Sequence, residues 1–200
     1  MQENENYLLV GLGNPGEKYK NNRHNIGWMV AEKFAEKFNL DWQKEKKYFY
    51  TKLNLFGNDV HICLPRTYMN LSGEAVLSLC TKYKIAPKNV ISIVDEYNFP
   101  IGKIHFRTNG SDGGCNGIFS IIESLGTREF CRLRCGIDRK FGAGELVDYV
   151  LADFPEYEKE LLDEMIKKSI EGLLFLFENG IMKGMQYINT KNSIQISDLS

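Results

Sequence analysis

The stretch "LLVGLGNPGEKYKNNRHNIG", Leu8 to Gly27, opens with Gly11-Leu12-Gly13-Asn14-Pro15-Gly16, which fits G-x-G-x-x-G letter by letter. In dinucleotide-binding folds that pattern turns a strand straight into a helix whose N-terminus receives a pyrophosphate, with an acidic residue about 20 positions on holding the ribose. Here "YLLVG" supplies the strand, but the continuation fails. Pro15-Gly16 reads as a turn, and "EKYKNNR" has no apolar period before the helical "NIGWMVAEKFAEKF" begins. The strand and helix of an α/β unit are present, separated by a polar loop that weakens the nucleotide reading and leaves it to be decided with the rest of the chain.

Outward from this stretch, strand signals recur at "YFYTKLNLF" and "DVHICL" around a Gly57-Asn58 turn, at the apolar "VISIVDE", at the alternating "GKIHFRT" and at "FCRLRCGI". Helical spacing links Ile26, Met29, Val30, Phe34 and Phe38. It then links Val76, Leu79, Cys80 and Tyr83 after a Ser72 cap, and later Ile118, Ile121, Ile122 and Leu125. A fourth helix opens with Pro155 in its first turn and aligns Leu162, Met165, Ile166, Ile170, Leu173, Leu174 and Phe177 on one face. Hairpin-like strands mixed with helical crossovers predict an α/β fold: a single domain with a mixed, twisted β-sheet flanked by helices and a long acidic C-terminal helix. The domain is expected to span 1–188, and the polar tail "NTKNSIQISDLS", 189–200, is expected to be disordered.

A chain of 200 residues, 43% hydrophobic, can bury one substantial core. The start "MQENENYLLV" has neither a basic n-region nor an apolar h-region, and no run approaches the length of a membrane span, so a cytoplasmic protein with no membrane partner is expected. The five cysteines are scattered and form no C-x-x-C pair, which predicts free thiols and no zinc site. Net charge is −1, but it is unevenly placed: residues 1–140 hold 20 Lys and Arg against 15 Asp and Glu, and residues 141–178 hold 3 against 10. A mildly basic body beside an acidic helix permits a local anion-binding face, though a solvated acidic helix would look the same.

Polar residues concentrate in "GLGNPG...NNRHN", "LPRTYMNLSG", "VDEYNFP" and "SDGGCNG", where strands end and turns or helices begin. Together they supply His24, Asp95 just past the apolar run Val90 to Val94, and the amides of Asn14, Asn70 and Asn116. A histidine can deprotonate water, a carboxylate on its other ring nitrogen fixes the tautomer, and neutral amides can hold a carbonyl and its oxyanion. Each residue also has a plainer reading: the asparagines and Asp95 as caps or turn residues, His24 as a loop residue, His61 and His105 as structural or surface histidines. Cys115 with His24 would make a thiol hydrolase, unless the cysteine is there only because it is small.

The segments "GLGNPG.KY..NRHN.G", "P.TYMNLSG", "VDE...P.GK" and "GG.NG..SI...LGT..F.RLR.GI", in this order and at these separations, resemble the bacterial-type peptidyl-tRNA hydrolases over residues 7–188. The resemblance implies cleavage of the ester joining a peptide to the terminal ribose of tRNA, with no cofactor and no metal, by a monomer whose partner is the tRNA acceptor end. It implies His24 as the general base and Asp95 as its partner, with Asn14, Asn70 and Asn116 lining the peptide channel. Tyr19 would stand near the scissile end and Met69 would form a hydrophobic wall. Arg107 and Arg134 would clamp the tRNA 5' phosphate, and the segment from Gly142 to Asp153 resembles a lid. Four positions depart from the pattern: Cys115 and Val94 stand where histidines are common, Asn98 replaces an aspartate, and "GIDRK" replaces "GIGRP". A module that binds the RNA end without turnover is the alternative from another class.

Overall fold

The structure, a computed structural model, describes residues 4–191. Its centre is β1 (Asn6–Gly11), whose side chains are apolar and buried on both faces, as a strand inside a parallel sheet requires. On one side β1 pairs in parallel with β4 (Asn58–Pro65), and on the other with β5 (Val90–Glu96). With β2 (Gln43–Lys44), β3 (Tyr48–Leu55), β6 (Ile104–Arg107) and β7 (Cys131–Gly136) the sheet has seven strands in the order β2-β3-β4-β1-β5-β7-β6. The β3/β4 and β6/β7 pairs are antiparallel and β5/β7 is parallel, so the sheet is mixed. The β3–β4 turn lies at Phe56 and Gly57 (φ 52 and 84), one residue before the expected Gly57-Asn58. A two-residue hairpin turn of this hand needs positive φ at both central residues, and Phe56 adopts it with an exposed ring.

Strand alternation divides the core in two. Leu9, Ile62, Ile91, Ile93, Leu133 and Cys135 face α1 (Ile26–Lys37), α5 (Lys159–Asn179) and α6 (Ile181–Lys191). Leu8, Val10, Cys63, Val90 and Val94 face α2 (Ser72–Tyr83) and α3 (Asn116–Leu125). A short helix, α4 (Leu146–Val150), has no fully buried residue and packs half-buried Tyr149 and Val150 against the edge of the first core.

The expected faces of the four helices are the buried ones, but two helix starts differ. Ser72 does not cap α2: a 3₁₀ turn at Met69–Leu71 runs straight into the helix, and the Ser72 hydroxyl is buried without a partner. Pro155 precedes a 3₁₀ turn, Glu156–Glu158, and α5 proper begins at Lys159. After α5 the chain adds α6, which continues to Lys191 and so includes the first three residues of the expected tail; 192–200 lie outside the described residues. Asn189 on α6 is part of the fold, because its amide accepts from Phe106 N–H at 2.8 Å and donates to Phe106 C=O at 3.0 Å along edge strand β6.

Three glycines of the opening stretch, Gly11, Gly13 and Gly27, are packing residues, whereas Gly16, exposed at φ 115, is a turn residue. A Cβ on Gly27 would lie 2.4 Å from Ile93 O and 2.5 Å from Leu12 N, and one on Gly13 would lie 2.5 Å from the Trp28 ring. They let α1 press onto the ends of β1 and β5, and the polar loop between β1 and α1 is thereby folded back over the carboxyl end of the sheet.

Candidate active site

Strands β1, β4 and β5 are parallel, so the loops following them gather at one edge, beside the place where the strand order reverses around β1. Asn14 follows β1, Met69 and Asn70 follow β4, Asp95 closes β5, and His24 lies in a 3₁₀ turn, Arg23–Asn25, that leads into α1. Parity does the aiming: Asp95 continues the Ile91–Ile93 row toward α1 and so meets the turn that precedes it.

His24 Nδ1 lies 2.9 Å from Asp95 Oδ1, with both side chains mostly buried. An ionised carboxylate only accepts hydrogen bonds, so it fixes the proton on Nδ1 and leaves Nε2 with a bare lone pair. Burial lowers the His24 pKa, the charge and hydrogen bond of Asp95 raise it, and the net direction is upward from 6.5. The outcome is a base strengthened by its partner.

Asn14 is held from two sides. Asn25 Oδ1 accepts from Asn14 N–H and Asn25 Nδ2 donates to Asn14 C=O, both at 2.9 Å, while Met69 N–H donates to Asn14 Oδ1 at 3.0 Å. With Oδ1 occupied, the Nδ2 donors are left for the cleft. Asn25 was not among the expected site residues; its signal was the placement beside His24 in "RHN".

The cleft above these groups has a volume of about 420 Å³. Asn14, His24, Met69, Asn70, Asp95 and Asn116 line it, as do Arg107 and Arg134. Asn116 is the first residue of α3, and Met69 is wedged where a Cβ on Gly117 would lie 2.4 Å from its Sδ. Tyr19 is not among the lining residues; it is half-buried in a neighbouring 3₁₀ turn, Glu17–Tyr19, with Lys18 Nζ 4.6 Å from its ring centre. Leu146, Val147, Val150 and Leu151 form an apolar wall from the α4 segment, whose contribution to the site came only from the resemblance.

Across β6 and β7, Arg107 stands opposite Arg132 and His105 opposite Arg134. Arg107 is exposed, whereas Arg134 Nε and Nη2 are both held by Glu96 Oε2. Arg132 is buried and donates to Phe130 C=O at 2.7 Å and Gly110 C=O at 2.8 Å, tying the glycine-rich loop before α3 to β7. Burial, then Arg107, Arg134 and Lys103, push His105 below its ordinary pKa, as expected on a cationic strip. The other histidine, His61, is buried and bonded to the Tyr50 hydroxyl at 2.8 Å, a structural role.

Cys115 lies at the foot of the cleft, where burial first and the Asp95 charge second push its thiol up to about 12. A thiol there carries almost no thiolate at neutral pH, so the Cys115 nucleophile loses its chemical basis. Among the described residues no group of three or more His, Cys, Asp or Glu is arranged to hold a metal ion, and no helix is long and apolar enough to cross a membrane.

The family model described as peptidyl-tRNA hydrolase matches residues 8–195. The peptidyl-tRNA hydrolase of Sulfurihydrogenibium sp. (strain YO3AOP1) is 45% identical over 181 residues, covering 90% of this chain and 96% of the relative. That of Fervidobacterium nodosum is 42% identical over 191 residues, covering 95% and 98%. The crystal structure of peptidyl-tRNA hydrolase from Acinetobacter baumannii superposes with a TM-score of 0.86 at 33% identity, covering 92% of this chain and 94% of that one.

Proposed function

The chain belongs to the peptidyl-tRNA hydrolase family, and from that premise we propose that His24 is the general base of its reaction, with Asp95 as the group that orients and strengthens it. The reaction is hydrolysis of the ester between a peptide and the terminal ribose of tRNA. The observation that carries the proposal is the 2.9 Å contact between His24 Nδ1 and Asp95, which leaves Nε2 as the basic atom facing the cleft.

Water bound against Nε2 gives up a proton as its oxygen adds to the ester carbonyl, forming a tetrahedral oxyanion. Asp95 stabilises the resulting imidazolium. The intermediate collapses with cleavage of the carbonyl–ribose oxygen bond, and the imidazolium returns its proton to the departing ribose oxygen, restoring neutral His24. Asn14 Nδ2, held by the Asn25 and Met69 contacts, donates to the peptide carbonyl or its oxyanion, and Asn70 and Asn116 hold the peptide backbone. Met69 walls the channel, and Tyr19, outside the cleft lining, carries no step of this scheme. No step calls for a cofactor.

Arg107 and Arg134 hold the 5' phosphate of the acceptor end, Arg107 as the exposed cation and Arg134 as one already shared with Glu96. The proposed enzyme acts on peptidyl-tRNA as a cytoplasmic monomer, a reading that rests on its family membership and on a cleft formed within a single chain. Release of labelled N-blocked aminoacyl groups from tRNA, with unblocked aminoacyl-tRNA as control, tests the function. Binding of tRNA without release would favour the non-catalytic alternative.

A further inference from the structure

The segment 141–153, whose apolar side chains wall the cleft, has no fully buried residue and meets the core through half-buried Tyr149 and Val150. Within it Val147 is 64% exposed, and Gly144 has φ 85. A segment without its own core takes its position from its anchors.

Those anchors converge on one carboxylate. Glu158, 2% exposed, accepts from Lys140 Nζ on Oε1 at 3.1 Å and from Arg23 Nη2 on Oε2 at 3.0 Å. Lys140 immediately precedes the segment. Arg23 grips its far end: Nη1 donates to Asp153 C=O at 2.7 Å, and the Arg23 backbone N–H donates to Ala152 C=O at 3.0 Å. The guanidinium also lies over the Tyr149 ring at 4.5 Å, and the Tyr149 hydroxyl donates to Ile137 C=O at 2.6 Å. Arg23 is the residue before His24. Lys140 is further paired with Asp138 at 3.1 Å, and Asp138 and Lys140 are the two positions at which "GIDRK" differs from "GIGRP".

We propose that Glu158 is a positioning residue that clasps the two ends of segment 141–153 behind His24, Arg23 closing one side and Lys140 the other. The clasp sets how far the apolar wall reaches over the ester, and it rests on the reaction assigned above. Lys140 is the half-exposed side of the clasp and Arg23 the buried one.

The test compares Lys140→Met, Lys140→Arg and Glu158→Gln with the wild-type chain, reading amide hydrogen exchange in 143–151 together with kcat and KM on N-blocked aminoacyl-tRNA. Lys140→Met should speed exchange in that segment by about fivefold, the size of an ion pair with one exposed partner. The same variant should lower kcat by about the same factor while KM and the pH of the acid limb stay put. Lys140→Arg should restore both values, and Glu158→Gln should exceed Lys140→Met. Should Glu158→Gln fail to fold, Lys140→Met decides alone, its side chain being half exposed. Unchanged exchange in 143–151, or faster exchange with unaltered kcat, overturns the clasp. A wild-type chain that releases nothing overturns the reaction instead, and the exchange measurement still decides the clasp.

Discussion

The His24 imidazole and the Asp95 carboxylate, 71 positions apart in the chain, meet at 2.9 Å. Two local choices produce that contact: the parity that turns Asp95 toward α1, and the glycines that let α1 press onto β1 and β5. Its strength is expressed as a direction of titration. Because activity needs neutral His24, the rate should rise with pH through a midpoint above 6.5. Asp95→Asn removes both influences that raise the midpoint and leaves burial, which lowers it, so the acid limb should move to lower pH while kcat falls by about 10²-fold. An unmoved limb would reduce Asp95 to a cap.

The same shift bears on stability. His24 keeps its proton to higher pH in the folded chain than in the unfolded one, so its protonation stabilises the fold. That contribution is fully present below 6.5 and is lost as pH rises through the folded value. The stability difference between the wild-type chain and Asp95→Asn, from denaturant unfolding at pH 5 to pH 9, should shrink across this window as the His24 contribution is lost.

Cys115→Ala should hydrolyse substrate within a few-fold of the wild-type rate. The thiol, pushed up to about 12, is protonated at working pH, and water is the proposed nucleophile. Trapping a covalent peptidyl thioester after acid quench would overturn this and make Cys115 the nucleophile.

Gly27→Ala should destabilise the fold by about 3 kcal/mol, since the new methyl would meet the backbone of both Ile93 and Leu12. Urea unfolding checks it; a loss under about 1 kcal/mol would mean that α1 can lift off the sheet without consequence.

Arg107→Ala should weaken tRNA substrates more than Arg134→Ala, because Glu96 already occupies the Arg134 fork. Removing one arginine–phosphate interaction should flatten the log–log salt dependence by about 0.7, and a peptidyl-adenosine substrate should be unaffected. Equal losses on the minimal substrate would show that the arginines support the fold or the catalytic site. Additive losses from the double variant and from removing the 5' phosphate would show that they do not grip that phosphate.

Most of the sheet and of the site was legible because it is written in periods and ordered motifs. Apolar runs marked β1 and β5, alternation marked β6, and polar residues at strand ends marked His24, Asp95 and the asparagines. The polar, aperiodic residues after Gly16 weakened the G-x-G-x-x-G reading and the ordered motifs of the resemblance replaced it, and the structure gives Gly13 and Gly27 their reason in packing. Beyond the His24–Asp95 pair, which the resemblance supplied, pairings between distant side chains were not legible. The Glu96–Arg134 pair, the Asn25 brace on Asn14 and the Arg23–Glu158–Lys140 clasp depend on which loops come together, and no local spacing encodes that. Tyr19 was carried over by motif position, and the fold keeps it out of the cleft lining.

The most direct test of the account is His24→Gln assayed on N-blocked aminoacyl-tRNA, with far-UV circular dichroism and the unfolding midpoint as controls. The variant is expected to stay folded and to lose at least about 10²-fold in kcat, the contribution of a positioned general base. A folded His24→Gln chain turning over near the wild-type rate would contradict the assignment of His24 as the base.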